Sequence, residues 1–400
     1  AWQMKAVQRL FPQAKWHHWE PVNRDSARAG SKLAFGAYYD AIYKFEAAAV
    51  VLSLDADFLS GSWFPGFVRY ARDFMRGRKL DNGNAMNRLY VAESSPSTTG
   101  AKADHRLVLR PSEVESLARY LAGKLGAGAA GAGDLKNEDQ KRWADAVAED
   151  LQAHKGKALV VPGEFQSAAV HALAHAMNAA LGAVGTTITY IDPVEADPVE
   201  HGESIRELVS DMNAGKVETL IVLGGNPVFN APVDLEFEKA LDKVKLRIQL
   251  SIYKNETTDH MHWHVPETHY LETWSDVRSY EGTASVIQPM IAPLYDGKSA
   301  HELLAILMDQ RGTSAYDLVQ TYWKTQHPTA DFEAWWRRTV HDGFVADTAA
   351  QARSVSAKLG ALPAAVPVDA NAIEIAFRPD PTIYDGRFLN NAWLQETPKP

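Results

Sequence analysis

The stretch TLIVLGGNPVFNAPVDLEF, residues 219–237, decides the fold class. Its apolar run ends in Gly224-Gly225-Asn226-Pro227, and a helix-compatible segment follows. This order is typical of a buried parallel strand that ends in a turn at the sheet edge where open α/β sheets bind their ligands. Because paired glycines let backbone N–H groups approach a phosphate, the turn is either a ligand cradle or a tight exit from the strand.

The composition is that of a globular protein with more than one folded region. The 400 residues exceed what one ordinary hydrophobic core covers, so two packed lobes are expected. The 46% hydrophobic and 23% charged residues exclude a disordered chain. The net charge of −9 argues against a nucleic-acid surface, which needs a basic field. No apolar run approaches the roughly 20 residues that cross a bilayer.

Strand-like and helix-like segments alternate along most of the chain, which predicts parallel sheets joined by right-handed crossovers. The expected fold class is α/β, with two Rossmann-like three-layer lobes whose sheets are mostly parallel. We expect residues 1–150, completed by 291–400, to form one lobe and residues 151–290 to form a second lobe inserted into it. The Gly/Ala-rich run 126–140 is expected to be a surface loop, and AIEIAFRP (372–379) a strand.

Acidic residues follow two of the predicted strands, at positions where open parallel sheets bind ligands. Asp55 and Asp57 lie near the end of AAAVVLSLDADFL (47–59), and Glu93 ends the apolar run of RLYVAE. Neither G-x-G-x-x-G nor G-x-x-x-x-G-K-[ST] occurs, so the common dinucleotide and nucleotide loops are missing. On spacing alone, the turn at 224–227 is therefore better interpreted as structural than as ligand-binding.

Residues that could serve as metal ligands or nucleophiles are few. Cysteine is absent, which excludes disulfides, iron–sulfur ligation and cysteine nucleophiles within this chain. His260, His262 and His264 would share one face of an extended segment, and His171 and His175 one face of a helix. Because neither set includes the Glu of a zincin helix, we predict no metal site and interpret the histidines as polar residues beside an interface. The chain has no G-x-S-x-G elbow, which disfavours a Ser-His-Asp hydrolase.

The order of motifs in the second half of the chain resembles the molybdopterin oxidoreductase family. In that family a G-x-N-P turn is followed by an E-T segment, a proline-containing segment and an E-G-T. Here these motifs are 224–227, Glu256-Thr257, Pro266 and Glu281-Gly282-Thr283. Several long segments resemble one subfamily more narrowly, the iron–sulfur subunit of alternative complex III. They include WHHWEPVNRDSARAG, TGAKADHRL and PTIYDGRFLNNAWLQETPKP, and the likeness runs over nearly the whole chain.

The sequence departs from active members of that family where they hold the nucleotide of their cofactor. Their R-P-G-T-D loop reads Arg110-Pro111-Ser112-Glu113 here, without the glycine. The strand that ends in Asp-Pro-Arg in those members ends in Glu-Ser-Ser at 93–95. The resemblance therefore implies a vestigial, empty cofactor pocket with no catalytic residue and no metal. Its residues would be Asp55, Asp57, Glu93, Arg110, Glu113, Gly224, Gly225, Asn226 and Pro227.

The resemblance implies a non-catalytic scaffold domain of a respiratory quinol:electron-acceptor oxidoreductase. Electrons would pass through iron–sulfur and haem centres elsewhere in the complex, and no cofactor is expected in this chain. The iron–sulfur clusters are expected in a cysteine-rich domain beyond Pro400. That domain and the other subunits of a membrane-bound complex would be the partners, on the periplasmic side of the bacterial inner membrane. The alternatives are an active enzyme with bis-molybdopterin guanine dinucleotide and a soluble Rossmann-type nucleotide-binding oxidoreductase.

Overall fold

The computed structural model describes residues 1–60, 64–80, 85–128, 135, 137–360, 362–364 and 371–398. Packing divides the chain into two compact units. We call Arg24–Pro193 with Gln351–Pro400 the four-strand unit, and Ala1–Asn23 with Val194–Ala350 the glycine-turn unit.

The helices and strands follow in chain order. The helices are α1 (Trp2–Leu10), α2 (Asp25–Phe35), α3 (Phe67–Arg76), α4 (Thr98–Ala101), α5 (Pro111–Lys124), α6 (Glu138–Ala153), α7 (Ala168–Ala180), α8 (His201–Asn213), α9 (Pro227–Asn230), α10 (Phe237–Leu241), α11 (Glu256–Asp259), α12 (Ala300–Leu307), α13 (Ala315–Gln326), α14 (Phe332–Asp342) and α15 (Ala392–Glu396). The strands are β1 (Asp40–Tyr43), β2 (Val50–Leu54), β3 (Arg88–Glu93), β4 (His105–Val108), β5 (Ala158–Pro162), β6 (Ile188–Ile191), β7 (Thr219–Leu223), β8 (Leu246–Ser251), β9 (Trp263–Pro266), β10 (Ser275–Arg278), β11 (Ala284–Ile287) and β12 (Phe344–Val345). Short 3₁₀ turns occupy Phe45–Ala47 and Val233–Leu235.

The four-strand unit is built on a parallel sheet in the order β4-β3-β2-β5. Strand β2 is buried along its whole length, as its continuous apolar sequence predicts for a strand covered on both faces. Leu52 and Leu54 belong to a core that α5, α6 and α7 complete with residues such as Leu117, Leu151 and Leu173. Strands β1 and β6 form a separate antiparallel pair.

The division between the units differs from the expected one. Strand β5 pairs in parallel with β2, with Val50 opposite Ala158, so it extends the first sheet and does not begin a second. Residues 151–193 therefore belong to the four-strand unit, and the second unit consists of Val194–Ala350 with Ala1–Asn23 where an inserted lobe at 151–290 was expected. The close packing of α7 on α2 supports this placement. A Cβ added to Gly30 of α2 would lie only 2.3 Å from the Cβ of His171 on α7.

The glycine-turn unit contains a parallel sheet, β7-β8-β9, and an antiparallel sheet, β10-β11-β12. Strand β7 lies at one edge of its sheet. Its residues from Leu220 to Leu223 are half-buried, whereas a fully buried strand was expected. Helices α8 and α10 contribute a core that includes Ile205, Met212 and Leu241. A second cluster of Trp and Phe side chains packs α13 and α14 against β11.

The predicted α/β class with mostly parallel sheets is confirmed by both units. Two local expectations remain, the strand at 372–379 and the loop at 126–140. The segment 372–379, expected as a strand, pairs with no other strand among the described residues. Of the expected loop at 126–140, residues 129–134 and 136 lie outside the described part, and α6 already begins at Glu138 behind an Asn137 cap. Within the described residues, no helix combines the length and apolarity needed to cross a bilayer.

Candidate functional site

The carboxyl ends of β2 and β3 bring the predicted acidic residues to one edge of the four-strand sheet. The register places Leu54 opposite Ala92, so Asp55 and Glu93 leave neighbouring strands at the same level. Asp55 has a φ of 60°, a left-handed conformation that Asp tolerates better than most residues. The side chains of Asp55 and Glu93 are almost completely buried.

The Asp55 carboxylate is held entirely by groups of this chain. Its Oδ1 accepts a hydrogen bond from the Ser94 backbone N–H at 3.1 Å. Its Oδ2 accepts from Gln166 Nε2 at 2.7 Å and from Ser94 Oγ at 3.2 Å. The Arg378 guanidinium also pairs with Oδ2. A buried carboxylate with this many donors is a satisfied structural group.

Glu93 and Asp57 are also held by internal contacts. Glu93 pairs with the Arg106 guanidinium and accepts a hydrogen bond from Ser97 Oγ. A Cβ on Gly100 would lie 2.0 Å from Glu93 Oε1, so this carboxylate packs directly on the backbone of α4. Asp57 Oδ1 accepts from the Thr99 backbone N–H at 2.9 Å and from its hydroxyl at 2.6 Å. Both acids therefore anchor α4 to the sheet.

The amino terminus of α5 carries the predicted loop 110–113. The Glu113 carboxylate accepts a hydrogen bond from the Arg110 backbone N–H at 2.8 Å and so caps its own helix. Ser112 donates its N–H and its Oγ–H to the Glu374 carboxylate, at 3.0 and 2.6 Å. The hydroxyl of Ser112 is the main cause of a lowered Glu374 pKa, and its N–H adds to the effect. The anion-accepting end of α5 is thus filled by a carboxylate of the same chain.

The turn 224–227 lies in the glycine-turn unit. Gly224 and Gly225 have φ values of 69° and 73°, and a Cβ on either would meet no heavy atom closer than 4.0 Å. The Gly224 N–H donates to the Leu250 carbonyl at 2.7 Å, which joins the turn to β8. The glycines are therefore required by backbone conformation, while the space around them is open.

Asn226 and Pro227 connect the turn to the following elements. The side-chain oxygen of Asn226 accepts from the Thr257 backbone N–H at 3.1 Å and from its hydroxyl at 2.8 Å. Its amide donates to Glu256 Oε2 at 2.6 Å, and this bond is the main cause of a lowered Glu256 pKa. The G-x-N-P and E-T motifs therefore meet in space. Pro227 is the first residue of α9, as expected.

Glu267 is a titratable residue beside the turn at 224–227 that the sequence did not single out. It follows directly after β9, and its Oε2 would lie 4.0 Å from a Cβ on Gly224. Burial raises its pKa to about 7. The only sequence signal is an acid immediately after a strand, the same signal that selected Asp55.

The histidines lie in separate environments. His171 and His175 are buried in the core on α7, and burial lowers the pKa of each to about 3. They are core residues and do not form the polar edge of an interface. The other three make different contacts, and no group of three or more metal-ligating side chains is found among the described residues. The contacts are His260 with Asp242, His262 with the Arg247 N–H, and His264 with Ser251 Oγ.

Comparison with known proteins identifies the fold type. No model of a known protein family matches the chain, and no curated protein matches it. Among solved structures, the chain is similar to acetylene hydratase from Pelobacter acetylenicus, with 14% identity and a TM-score of 0.53. The similarity covers 77% of this chain and 53% of that one, so the chain spans about half the length of acetylene hydratase. At this identity the likeness concerns the fold alone, and the chain has a molybdopterin oxidoreductase-like fold.

Proposed function

We propose that the chain is a non-catalytic, molybdopterin oxidoreductase-like scaffold domain of alternative complex III, a respiratory quinol:electron-acceptor oxidoreductase. In this role it carries no cofactor and positions other parts of the complex, in which iron–sulfur and haem centres transfer the electrons. Its partners are an iron–sulfur domain and other subunits on the periplasmic side of the inner membrane. The fold similarity supports only the molybdopterin oxidoreductase-like fold, and the assignment to alternative complex III rests on sequence motifs such as WHHWEPVNRDSARAG and PTIYDGRFLNNAWLQETPKP.

One observation carries the non-catalytic part of the proposal. The acids at the carboxyl edge of the four-strand sheet are engaged by neighbouring groups of the chain, as Asp55 is by Gln166 and Glu93 by Arg106. A catalytic acid or base needs a proton-transfer partner within reach and room for a substrate. Side chains that are almost fully buried and saturated with hydrogen bonds offer neither.

The residues present do not fit a phosphate-bearing cofactor such as a molybdopterin dinucleotide. Such a group is held by backbone N–H donors, helix amino termini and basic side chains. At the edge of the four-strand sheet, three backbone N–H groups already donate to carboxylates of the chain, namely those of Ser94, Thr99 and Ser112. In the glycine-turn unit, the N–H of Gly224 donates to a backbone carbonyl. We therefore derive no catalytic step through such a cofactor.

Three measurements on the purified chain test the proposal. Molybdenum and tungsten are determined by elemental analysis, and pterin by the fluorescence of its oxidation products, with a known molybdopterin enzyme as the positive control. We expect neither metal nor pterin, and no reduction of a dye by quinol above the buffer blank. Stoichiometric pterin with turnover would refute the scaffold role and establish the active-enzyme alternative.

The assignment to a respiratory complex has its own test. A tagged chain expressed in a host that makes such a complex should co-purify from detergent-solubilised membranes with subunits that contain haem and iron–sulfur clusters. A chain of the same fold type from an unrelated soluble enzyme serves as the control. Recovery of the tagged chain alone, from the soluble fraction, would contradict the proposed partners.

A further inference from the structure

A carboxyl-terminal segment outside the helices and strands lies on the four-strand unit and has two different faces. We call residues 373–378 the strap. Ile373, Ile375 and Phe377 are 93%, 75% and 86% exposed. Glu374 and Arg378, which alternate with them, turn toward the unit and contact it. This alternation is typical of extended backbone, and the polar residues Glu374 and Arg378 contact the unit.

The first contact is made by Glu374 at α5. Its two carboxylate oxygens receive the N–H and the Oγ–H of Ser112, the second residue of a 14-residue helix. This arrangement satisfies a backbone donor that has no partner within the helix, and places a negative charge at the positive end of the helix dipole. Arg110 also lowers the Glu374 pKa through its charge.

The second contact is made by Arg378 at the end of β2. Its guanidinium pairs with Asp55 Oδ2, donates to Ser94 Oγ at 3.1 Å, and lies 5.8 Å from the centre of the Phe165 ring. The Asp55 side chain is only 4% exposed, so the carboxylate of this ion pair is almost completely shielded from solvent. Removing the guanidinium would take away the cation that balances a buried carboxylate.

The two contacts together form a matched pair of subsites. One receives an anion at a helix amino terminus, and the other receives a guanidinium at a buried carboxylate. In the strap they are occupied by a Glu and an Arg four residues apart. A ligand with phosphate alone would fill the first subsite and leave the carboxylate of Asp55 without its cation.

We propose that this edge of the four-strand unit is a peptide-binding site for an extended Glu-x-x-x-Arg segment, and that the strap is its ligand in cis. The site recognises the charged pair through Ser112 and Asp55, and leaves the alternate residues of the peptide outside. A strap bound in this way keeps phosphate-bearing ligands from the amino terminus of α5. This inference concerns the isolated chain and does not depend on its place in a respiratory complex.

Chymotrypsin and hydrogen exchange test the strap in the full chain. Phe377 is a cleavage site with an exposed side chain, and its rate of cleavage reports how often the strap leaves. We expect Glu374→Gln with Arg378→Gln to raise that rate at least tenfold, and to speed amide exchange at Ser112 by a similar factor. Ser112→Ala, which removes one hydrogen bond at the helix surface, should raise the cleavage rate without unfolding the unit. Ile373→Ser, an exposed position in the same strap, is the matched control and should change neither rate.

A peptide in trans distinguishes the proposed ligand from a simple anion. The peptide AIEIAFRPDP, added to the Glu374→Gln, Arg378→Gln chain, should restore slow exchange at Ser112, while the peptide with Gln at both charged positions should not. Protection by inorganic pyrophosphate without protection by the peptide would overturn the proposal in favour of an anion site. Unchanged cleavage and exchange in both the double variant and Ser112→Ala would overturn it outright. A pterin found in the purified chain would instead contradict the scaffold role, so the two failures are distinguishable.

Discussion

Replacing the glycines of the turn at 224–227 by alanine separates a structural role from a ligand-binding role. Both residues have φ near 70°, where an L-residue costs about 1–2 kcal/mol. Alanine also lowers the conformational entropy of the unfolded chain, which offsets about 0.4–1 kcal/mol. Because no heavy atom lies closer than 4.0 Å to the new Cβ, no clash adds to this cost. We therefore expect Gly224→Ala to lower the free energy of unfolding by about 1 kcal/mol.

Urea unfolding followed by tryptophan fluorescence measures this change, with Trp263 and Trp274 in the same unit as reporters. Gly224→Asn should cost less than alanine, because asparagine tolerates the left-handed region. Gly123→Ala is the control of opposite sign in the four-strand unit, where Trp143 packs against the core and serves as the reporter. Gly123 lies inside α5 with no heavy atom within 4 Å of the new Cβ, so alanine there should stabilise by about 0.5–1 kcal/mol. Unchanged stability of Gly224→Ala together with loss of a bound nucleotide or pterin would refute the structural interpretation.

Three further predictions concern buried groups. Burial lowers the pKa of His171 and His175 to about 3, so the native state binds fewer protons than the unfolded state below pH 6.5. The contribution of these neutral histidines to the free energy of unfolding is therefore fully present above pH 6.5. As the pH decreases below that value, the free energy of unfolding should fall by up to about 1.4 kcal/mol per pH unit for each histidine. In thermal unfolding between pH 4.5 and 7, His175→Gln should reduce that slope by about half, and an unchanged slope would contradict the assignment. The raised pKa of Glu267, about 7, has the opposite sign. The contribution of the protonated Glu267 to the free energy of unfolding is lost as the pH rises from about 4.5 through 7. Glu267→Gln should therefore raise the free energy of unfolding at pH 8 by about 1 kcal/mol, a value that is reduced because the side chain is partly exposed. The same variant should have no effect at pH 4. Gly100→Ala should destabilise by about 1–3 kcal/mol in urea unfolding, because its Cβ would lie 2.0 Å from Glu93 Oε1. Wild-type stability in that variant would show that the carboxylate can move aside.

The class of the fold could be predicted from local pattern, but the division into units could not. Alternating strands and helices indicate parallel sheets whichever strands pair. The apolar run of β5 looks the same whether it extends one sheet or begins another, and its pairing with β2 is set by contacts about 108 residues apart. The half-burial of β7 follows from its place at a sheet edge, which the composition of one strand does not reveal.

For the candidate site, the sequence suggests a list of residues but none of the contacts between them. Acids after strands identified Asp55 and Glu93, and the special turn identified Gly224. Their partners are distant in sequence, as Arg378 is from Asp55, and no local pattern links them. The segment 372–379 forms no strand, and charged side chains anchor it where a strand ladder was expected. The histidines on α7 resembled a polar stripe because periodicity shows which residues share a face and not which face is covered.

The discontinuity of the four-strand unit has a consequence for biosynthesis. All strands of its sheet have been translated by Pro193, whereas Arg378 follows about 185 residues later. Translation proceeds at roughly 5–20 residues per second. The strap is therefore synthesised on the order of 10–40 s after the edge that contains Asp55 and Ser112. During that interval a nascent chain presents a helix amino terminus and a carboxylate without their native counter-charges. The interval is long compared with the folding of single domains, so a chaperone or a partner subunit that reaches the ribosome has time to bind this edge before the strap closes it.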